Sequence, residues 1–131
     1  MSEDMDPPKP FYVRFEAPKE VIEASYEALK IASETGKIRK GTNETTKSIE
    51  RGRAQLVLIA ENVEPPEIVA HLPLLCDERG APYVYVPDKY RIGESIGLNI
   101  PSSAAAIVEF GDAENLVKEI IQKVKELVPS V

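Results

Sequence analysis

Two segments of this chain are apolar almost without a break: QLVLIA at 55–60 and AAAIVEF at 104–110. Neither shows the alternation of a strand with one wet face, so each demands cover on both sides. YVYV at 83–86 is a third, shorter strand rich in β-formers. The cover is written between them. From Lys19 to Glu34, Val21, Ile22, Ala24, Ala28, Leu29, Ile31 and Ala32 recur at helical spacing, between Pro18 and a stop at Gly36. A second helical segment starts at Pro65–Pro66, carries Ile68, Val69, Leu72, Leu74, Leu75 and Cys76, and stops near Gly80, with Pro73 expected to bend or split it. Asp88 caps a third, which runs to about Ile96 and ends at Gly97. Asp112 opens the last, whose stripe is Leu116, Val117, Ile120, Ile121, Val124, Leu127 and Val128. Strands alternating with helices predict an α/β domain, most simply a three-layer α/β/α sandwich whose central sheet of about four strands is mixed or parallel.

The segment at 37–53, KIRKGTNETTKSIERGR, stands apart electrostatically. It holds six basic residues and two acidic ones, a local charge of +4 on a chain whose net charge is −6. The remainder is therefore strongly acidic. A basic island of this kind marks a localised polyanion site, not general stickiness to nucleic acid. Ile38 reads as a short strand, Gly41 as a turn, Thr42 or Asn43 as an N-cap, and Gly52 as the stop of a short helix. Helical spacing gathers Asn43, Glu44, Lys47 and Arg51 near one face and turns Ile49 away. The free N–H groups of the helix start add an anion site beside the Lys40–Gly41 turn. Charge that seeks phosphate thus neighbours groups that donate and accept hydrogen bonds, which suits nucleobase edges better than phosphate alone. The bland alternative is a solvated amphipathic helix. Against it stand the island's opposite sign and the uncharged polar residues Thr42, Asn43, Thr45 and Thr46 crowding its turn. In sheets of this kind ligands gather at one end, and the loops at 40–43, 62–66 and 98–103 are expected to converge there.

Other chemistries fit poorly. GKIRKGT at 36–42 lacks the lysine that a phosphate-binding NTPase loop carries before its Ser or Thr. His71 and Cys76 lie five residues apart in HLPLLC, a run that reads as core, with a buried cysteine and a satisfied histidine. One histidine and one cysteine cannot make a zinc site of the usual ligand set, and no cofactor is called for. A single cysteine excludes an internal disulfide and fits a reducing cytosol, so a cytoplasmic protein is expected. No apolar run approaches the roughly 20 residues that cross a bilayer. The start, MSEDMDPPKP, is acidic and proline-rich, unlike a signal peptide. Residues 1–12 are expected to be a flexible arm, and 13–131 a single domain.

RKGTNETTKSIERG at 39–52 resembles the signature of the kink-turn-binding ribosomal protein family. LIAENVEPPEIVAHLPLLCDERGAPYVYV at 58–86 and GLNIPSSAAAIVE at 97–109 resemble it too, in the same order, so the likeness covers about residues 18–128. It implies a non-enzymatic α/β/α protein that grips kink-turns, helix–bulge–helix RNA elements with tandem sheared G·A pairs. Archaeal members imply a place in the large ribosomal subunit, in box C/D and H/ACA guide ribonucleoproteins beside other core proteins, and an association with ribonuclease P. A monomer is expected when the protein is free. On this likeness Asn43, Glu44 and Lys47 contact the G·A pairs, and Arg39, Lys40, Gly41 and Arg51 hold backbone phosphates. Glu64 and Ile68 hold the base flipped out at the bulge, and Ile100 and Pro101 pack on it. Two other classes remain as alternatives: an RNA-modifying enzyme, and a protein-interaction scaffold using the acidic faces.

Overall fold

The computed structural model describes residues 9–127. Its elements run α1 (Lys19–Thr35), β1 (Lys37–Lys40), α2 (Thr42–Glu50), β2 (Leu56–Ala60), a 3-10 turn (Pro66–Ile68), α3 (His71–Arg79), β3 (Tyr83–Val86), α4 (Lys89–Ser95), β4 (Ala104–Glu109), a second 3-10 turn (Gly111–Ala113) and α5 (Glu114–Leu127). The strands form one mixed sheet in the order β1-β4-β2-β3. β2 runs parallel to β3, and β4 is antiparallel to both of its neighbours, β1 and β2. The helices divide by their contacts: α1 packs with α4 and α5, and α2 packs with α3. This is the α/β/α sandwich expected from the pattern of apolar runs.

The central strands explain the cohesion. All five residues of β2 and all four of β3 are buried, as are Ala104–Ile107 of β4. Leu58, Ile59 and Ile107 are fully buried, and each contributes about 1.5–3 kcal/mol of apolar burial. The alanines of β4 let helices approach the sheet closely where bulkier residues would hold them off.

Several boundaries differ from expectation, each for a local reason. The split in the second helical segment falls at Val69–Ala70 and not at Pro73. Pro73 is the third residue of α3, where an amide has no intrahelical acceptor to lose. Residues 9–12, expected at the end of a flexible arm, are tied down. Tyr12 is buried and its hydroxyl donates to the Ala60 carbonyl at 2.6 Å, while the Tyr85 hydroxyl donates to the Tyr12 carbonyl at 2.7 Å. Arg14 pairs with Asp77 on α3. The rest of the expected arm, 1–8, and Val128 of the last stripe lie outside the described residues. α5 begins at Glu114, one 3-10 turn later than the Asp112 start expected.

Candidate nucleic-acid interface

β1, β2 and β3 all finish at the same end of the sheet, where β4 begins, because β4 alone runs opposite to the other three strands. The loops at 40–43, 62–66 and 98–103 therefore do share one end of the sandwich. Two of them are bonded together. The Gly41 amide donates to the Ala104 carbonyl at 2.8 Å and to the Ser102 hydroxyl at 3.2 Å. The Thr42 and Ser103 hydroxyls lie 2.7 Å apart. Ser102 is buried, and its own hydroxyl donates to the Ala104 carbonyl at 2.9 Å.

Gly41 itself caps α2, with φ +83°, a conformation that disfavours any side chain. The cap expected at Thr42 or Asn43 is thus one residue earlier, and Thr42 turns its hydroxyl to Ser103 instead. The Gly41 amide, expected to be open to an anion, is spent on the sheet; the open donors of α2 begin at Thr42.

α2 is held by one side and displays the other. Thr45, Ser48 and Ile49 are buried, Ile49 completely. Asn43, Glu44, Lys47 and Arg51 are exposed. The Lys47 ammonium lies 3.5 Å from the Glu44 carboxylate, both about half exposed. An ion pair this wet contributes at most about 1 kcal/mol, so either partner can leave it for a ligand.

A groove of about 410 Å³ opens along this face. Glu44, Lys47, Ser48 and Arg51 of α2 form one wall, Lys37 and Arg39 of β1 and Val108 and Glu109 of β4 another, and Gly52, Arg53 and Gln55 close the far end. Five cations face two carboxylates there. Lys37 and Arg39 enter together because alternate residues of a strand share a face; Lys40, one step out of phase, does not line the groove. Lys37 reaches Glu109 at 3.6 Å. Lys40 and Asn43 are exposed at the Gly41 end of α2 instead. Lys37, Arg53 and Gln55 were not among the residues expected at a site, although the first two belong to the basic island. What was missing from the sequence was the register that brings Lys37 opposite Glu109.

The remaining expected residues sit on the neighbouring loops. Glu64 is exposed, and Ile68 is 42% exposed at the end of the 3-10 turn. This segment meets α2 through His71, whose Nε2 lies 2.9 Å from the Thr46 hydroxyl. His71 is exposed on the surface of α3, not in the core as its apolar neighbours suggested. Cys76 is fully buried, and burial pushes its thiol up to about 12, so no thiolate is available near neutral pH. Ile100, 64% exposed, and Pro101 project from the loop that Ser102 and Ser103 fasten to the Gly41 turn. Gly93 of α4 supports that loop from beneath: a Cβ there would come within 2.0 Å of the Ile100 carbonyl.

A mixed four-stranded sheet between two helical layers, with an exposed short helix beside a cation-lined groove, defines the class. Residues 23–117 match the ribosomal protein L7Ae/L30e/S12e/Gadd45 family, and the chain belongs to that family. Among solved structures the chain is similar to the Giardia lamblia 15.5kD RNA binding protein, with a TM-score of 0.86 and 34% sequence identity. The likeness covers 91% of this chain and 99% of that one.

Proposed function

We propose that this protein binds RNA and, within RNA, recognises and stabilises kink-turns. The observation that carries the reading is the Glu44–Lys47 pair, exposed and 3.5 Å apart in a groove with excess positive charge. Family membership and the RNA-binding protein of similar structure support it.

The chemistry follows from the side chains. The Glu44 carboxylate accepts from guanine N–H groups, which adenine lacks in that arrangement, and Lys47 donates to guanine O6 and N7. Asn43 does either. An A-form major groove is normally too narrow for such contacts, and a sharp kink opens it. Arg39 and Arg51 in the groove, and Lys40 beside the open amides of the first turn of α2, hold phosphates and fix the register, while Gly41 shapes the turn. Glu64, Ile68, Ile100 and Pro101 enclose the base expelled at the bulge.

Free kink-turn RNA is opposed by repulsion between phosphates brought close together. A protein that binds only the bent form shifts the population by its differential affinity, with no turnover required. The protein thus acts as a clamp and a platform, not as an enzyme. The fuller assignment includes ribosomal RNA of an archaeal large subunit, box C/D and H/ACA guide RNAs, ribonuclease P RNA, other ribonucleoprotein core proteins and a cytoplasmic setting. A gel-shift comparison tests the central point. The protein is expected to bind an RNA with tandem G·A pairs and a bulge far more tightly than a plain duplex of equal length; equal affinity for the two would remove the reading.

A further inference from the structure

The groove beside α2 holds more positive charge than reading two base pairs requires. Part of that charge has an ordinary explanation: cations near a helix C-terminus offset the dipole and bond its last carbonyls. Here that task is already done by other groups. The Lys47, Ser48 and Ile49 carbonyls accept from the backbone amides of Arg51, Arg53 and Gly52, at 3.0, 2.9 and 3.0 Å. The Glu50 carbonyl accepts from the Arg79 guanidinium at 2.8 Å. The end of α2 is therefore complete without the side chains of Arg51 and Arg53.

Ion pairing does not occupy them either. Among the described residues, no carboxylate pairs with the guanidinium groups of Arg39, Arg51 or Arg53. Lys37 reaches Glu109 only at 3.6 Å, with both side chains 62% exposed. Such a pair yields readily to a better anion. Lys37 and Arg53 thus line a groove whose walls leave their charge uncommitted.

We propose that Lys37 and Arg53 make the far end of this groove a second RNA subsite, which grips backbone phosphates of a helical stem leading away from the G·A pairs. The identity of that RNA rests on the kink-turn reading above. The direction comes from α2: from Glu44 to Arg51 the helix advances about 10 Å, and Arg53 extends the track further. A duplex seated on Glu44 and Lys47 therefore lays the next part of its backbone along Arg51, Arg53 and Lys37. The ligand is a phosphate and not a base edge. The end of the groove offers guanidinium and ammonium donors, which match phosphate oxygens and carry no sequence information.

The test uses the full chain carrying Lys37→Gln, Arg53→Gln or both, with Lys118→Gln on α5 as a control. Each is titrated at several salt concentrations with a kink-turn RNA, and with versions in which one stem or the other is cut back to the G·A pairs. Thermal unfolding checks that the variants fold. The double variant is expected to bind the intact RNA more weakly, most of all at low salt. Its slope of log affinity against log salt should be shallower by about 1.5. The penalty should vanish when one particular stem is shortened, and Lys118→Gln should bind as the wild type does. An unchanged slope in the double variant overturns the subsite while leaving the kink-turn reading intact. An equal penalty whichever stem is removed also overturns it, because that is general charge and not a seat. If the wild type proves indifferent to the kink but the stem-dependent slope loss persists, the kink-turn reading fails and the phosphate subsite stands.

Discussion

The Thr42 hydroxyl lies 2.7 Å from the Ser103 hydroxyl, joining the start of α2 to a loop 61 residues further along the chain. With the Gly41 amide on Ser102 and Ala104, this makes the turn and the loop one unit. Whatever orients the first turn of α2 therefore also sets the position of Ile100 and Pro101. Thr42→Val is expected to remove one part-buried hydrogen bond and lower stability by about 0.5–1.5 kcal/mol. The proposed RNA affinity should fall with it, although Thr42 has no assigned contact with a base. Thermal melts alongside gel shifts check both. Affinity unchanged while the melting point falls would mean that the loop is not needed for binding.

Glu44 and Lys47 should behave differently from Thr42, because they support little of the fold. Both side chains are about half exposed, and their mutual pair is weak. Glu44→Ala or Lys47→Ala is therefore expected to alter stability by no more than about 0.5 kcal/mol. On the proposed reading each removes a base-edge contact worth about 1–3 kcal/mol of discrimination. Competition between a G·A kink-turn and the same RNA with Watson–Crick pairs measures this. Loss of affinity for both RNAs alike would point to charge and not to base reading.

Gly93 offers a test from the opposite side of the loop. It is buried in α4, and a Cβ there would meet the backbone carbonyl of Ile100 at 2.0 Å, which no side-chain rotation relieves. Gly93→Ala is expected to displace the 98–103 loop and cost about 1–3 kcal/mol by overpacking. In the proposed function it should weaken kink-turn RNA more than plain duplex, since only the former presents a flipped base to Ile100. Denaturant unfolding and the same competition assay together distinguish the two effects.

These tests also mark where the sequence was informative. The fold was readable because the code is local: unbroken apolar runs for buried strands, helical periodicity between them, and Gly or Pro at the joints. Asp88 illustrates this, since its carboxylate accepts from the Tyr90 amide at 2.8 Å as its place before α4 suggested. The exposed face of α2 was readable for the same reason, as Ile49 and the charged residues separate by helical spacing alone. What escaped depended on partners distant in sequence. Composition around His71 suggested core, but α3 turns it outward to Thr46. Residues 9–12 looked like tail, but Tyr12 finds its partners at Ala60 and Tyr85. Lys37 and Arg53 looked like two more charges of an island until the pairing of β1 with β4 closed the groove around them.

Burial of phenol and thiol groups predicts a stability that fails in alkali. Desolvation holds the Tyr12 and Tyr26 hydroxyls up at about 12 and the Cys76 thiol up at about 12. In the unfolded chain the same groups ionise near 10 and near 8.5 to 9. Between those limits the unfolded state binds fewer protons than the folded one, so stability falls as pH rises. The contribution is full below about pH 8.5 and lost progressively toward pH 12. Urea midpoints across this range should decline, with ionisation of Tyr12 and Tyr26 appearing together with unfolding and not ahead of it. Ionisation of all the tyrosines near pH 10 with the fold intact would contradict the packing of Tyr12 and Tyr26.

Thr45 is the last test, and its sign is opposite. It is fully buried on the inner side of α2, and its hydroxyl oxygen has no hydrogen-bond partner among the described residues. A hydroxyl taken from water without a partner costs about 1–3 kcal/mol by mutational measures. Valine has the same branching, similar volume and nearly the same helix propensity, and it lacks the polar atom. Thr45→Val is therefore expected to raise stability by about 1 kcal/mol, seen as a melting point a few degrees higher. Because Thr45 faces inward while Glu44 and Lys47 face out, the proposed RNA affinity should stay within error of the wild type. A fall in stability would mean that the hydroxyl is satisfied in solution, and that α2 is seated against the sheet by a polar contact as well as by Ile49.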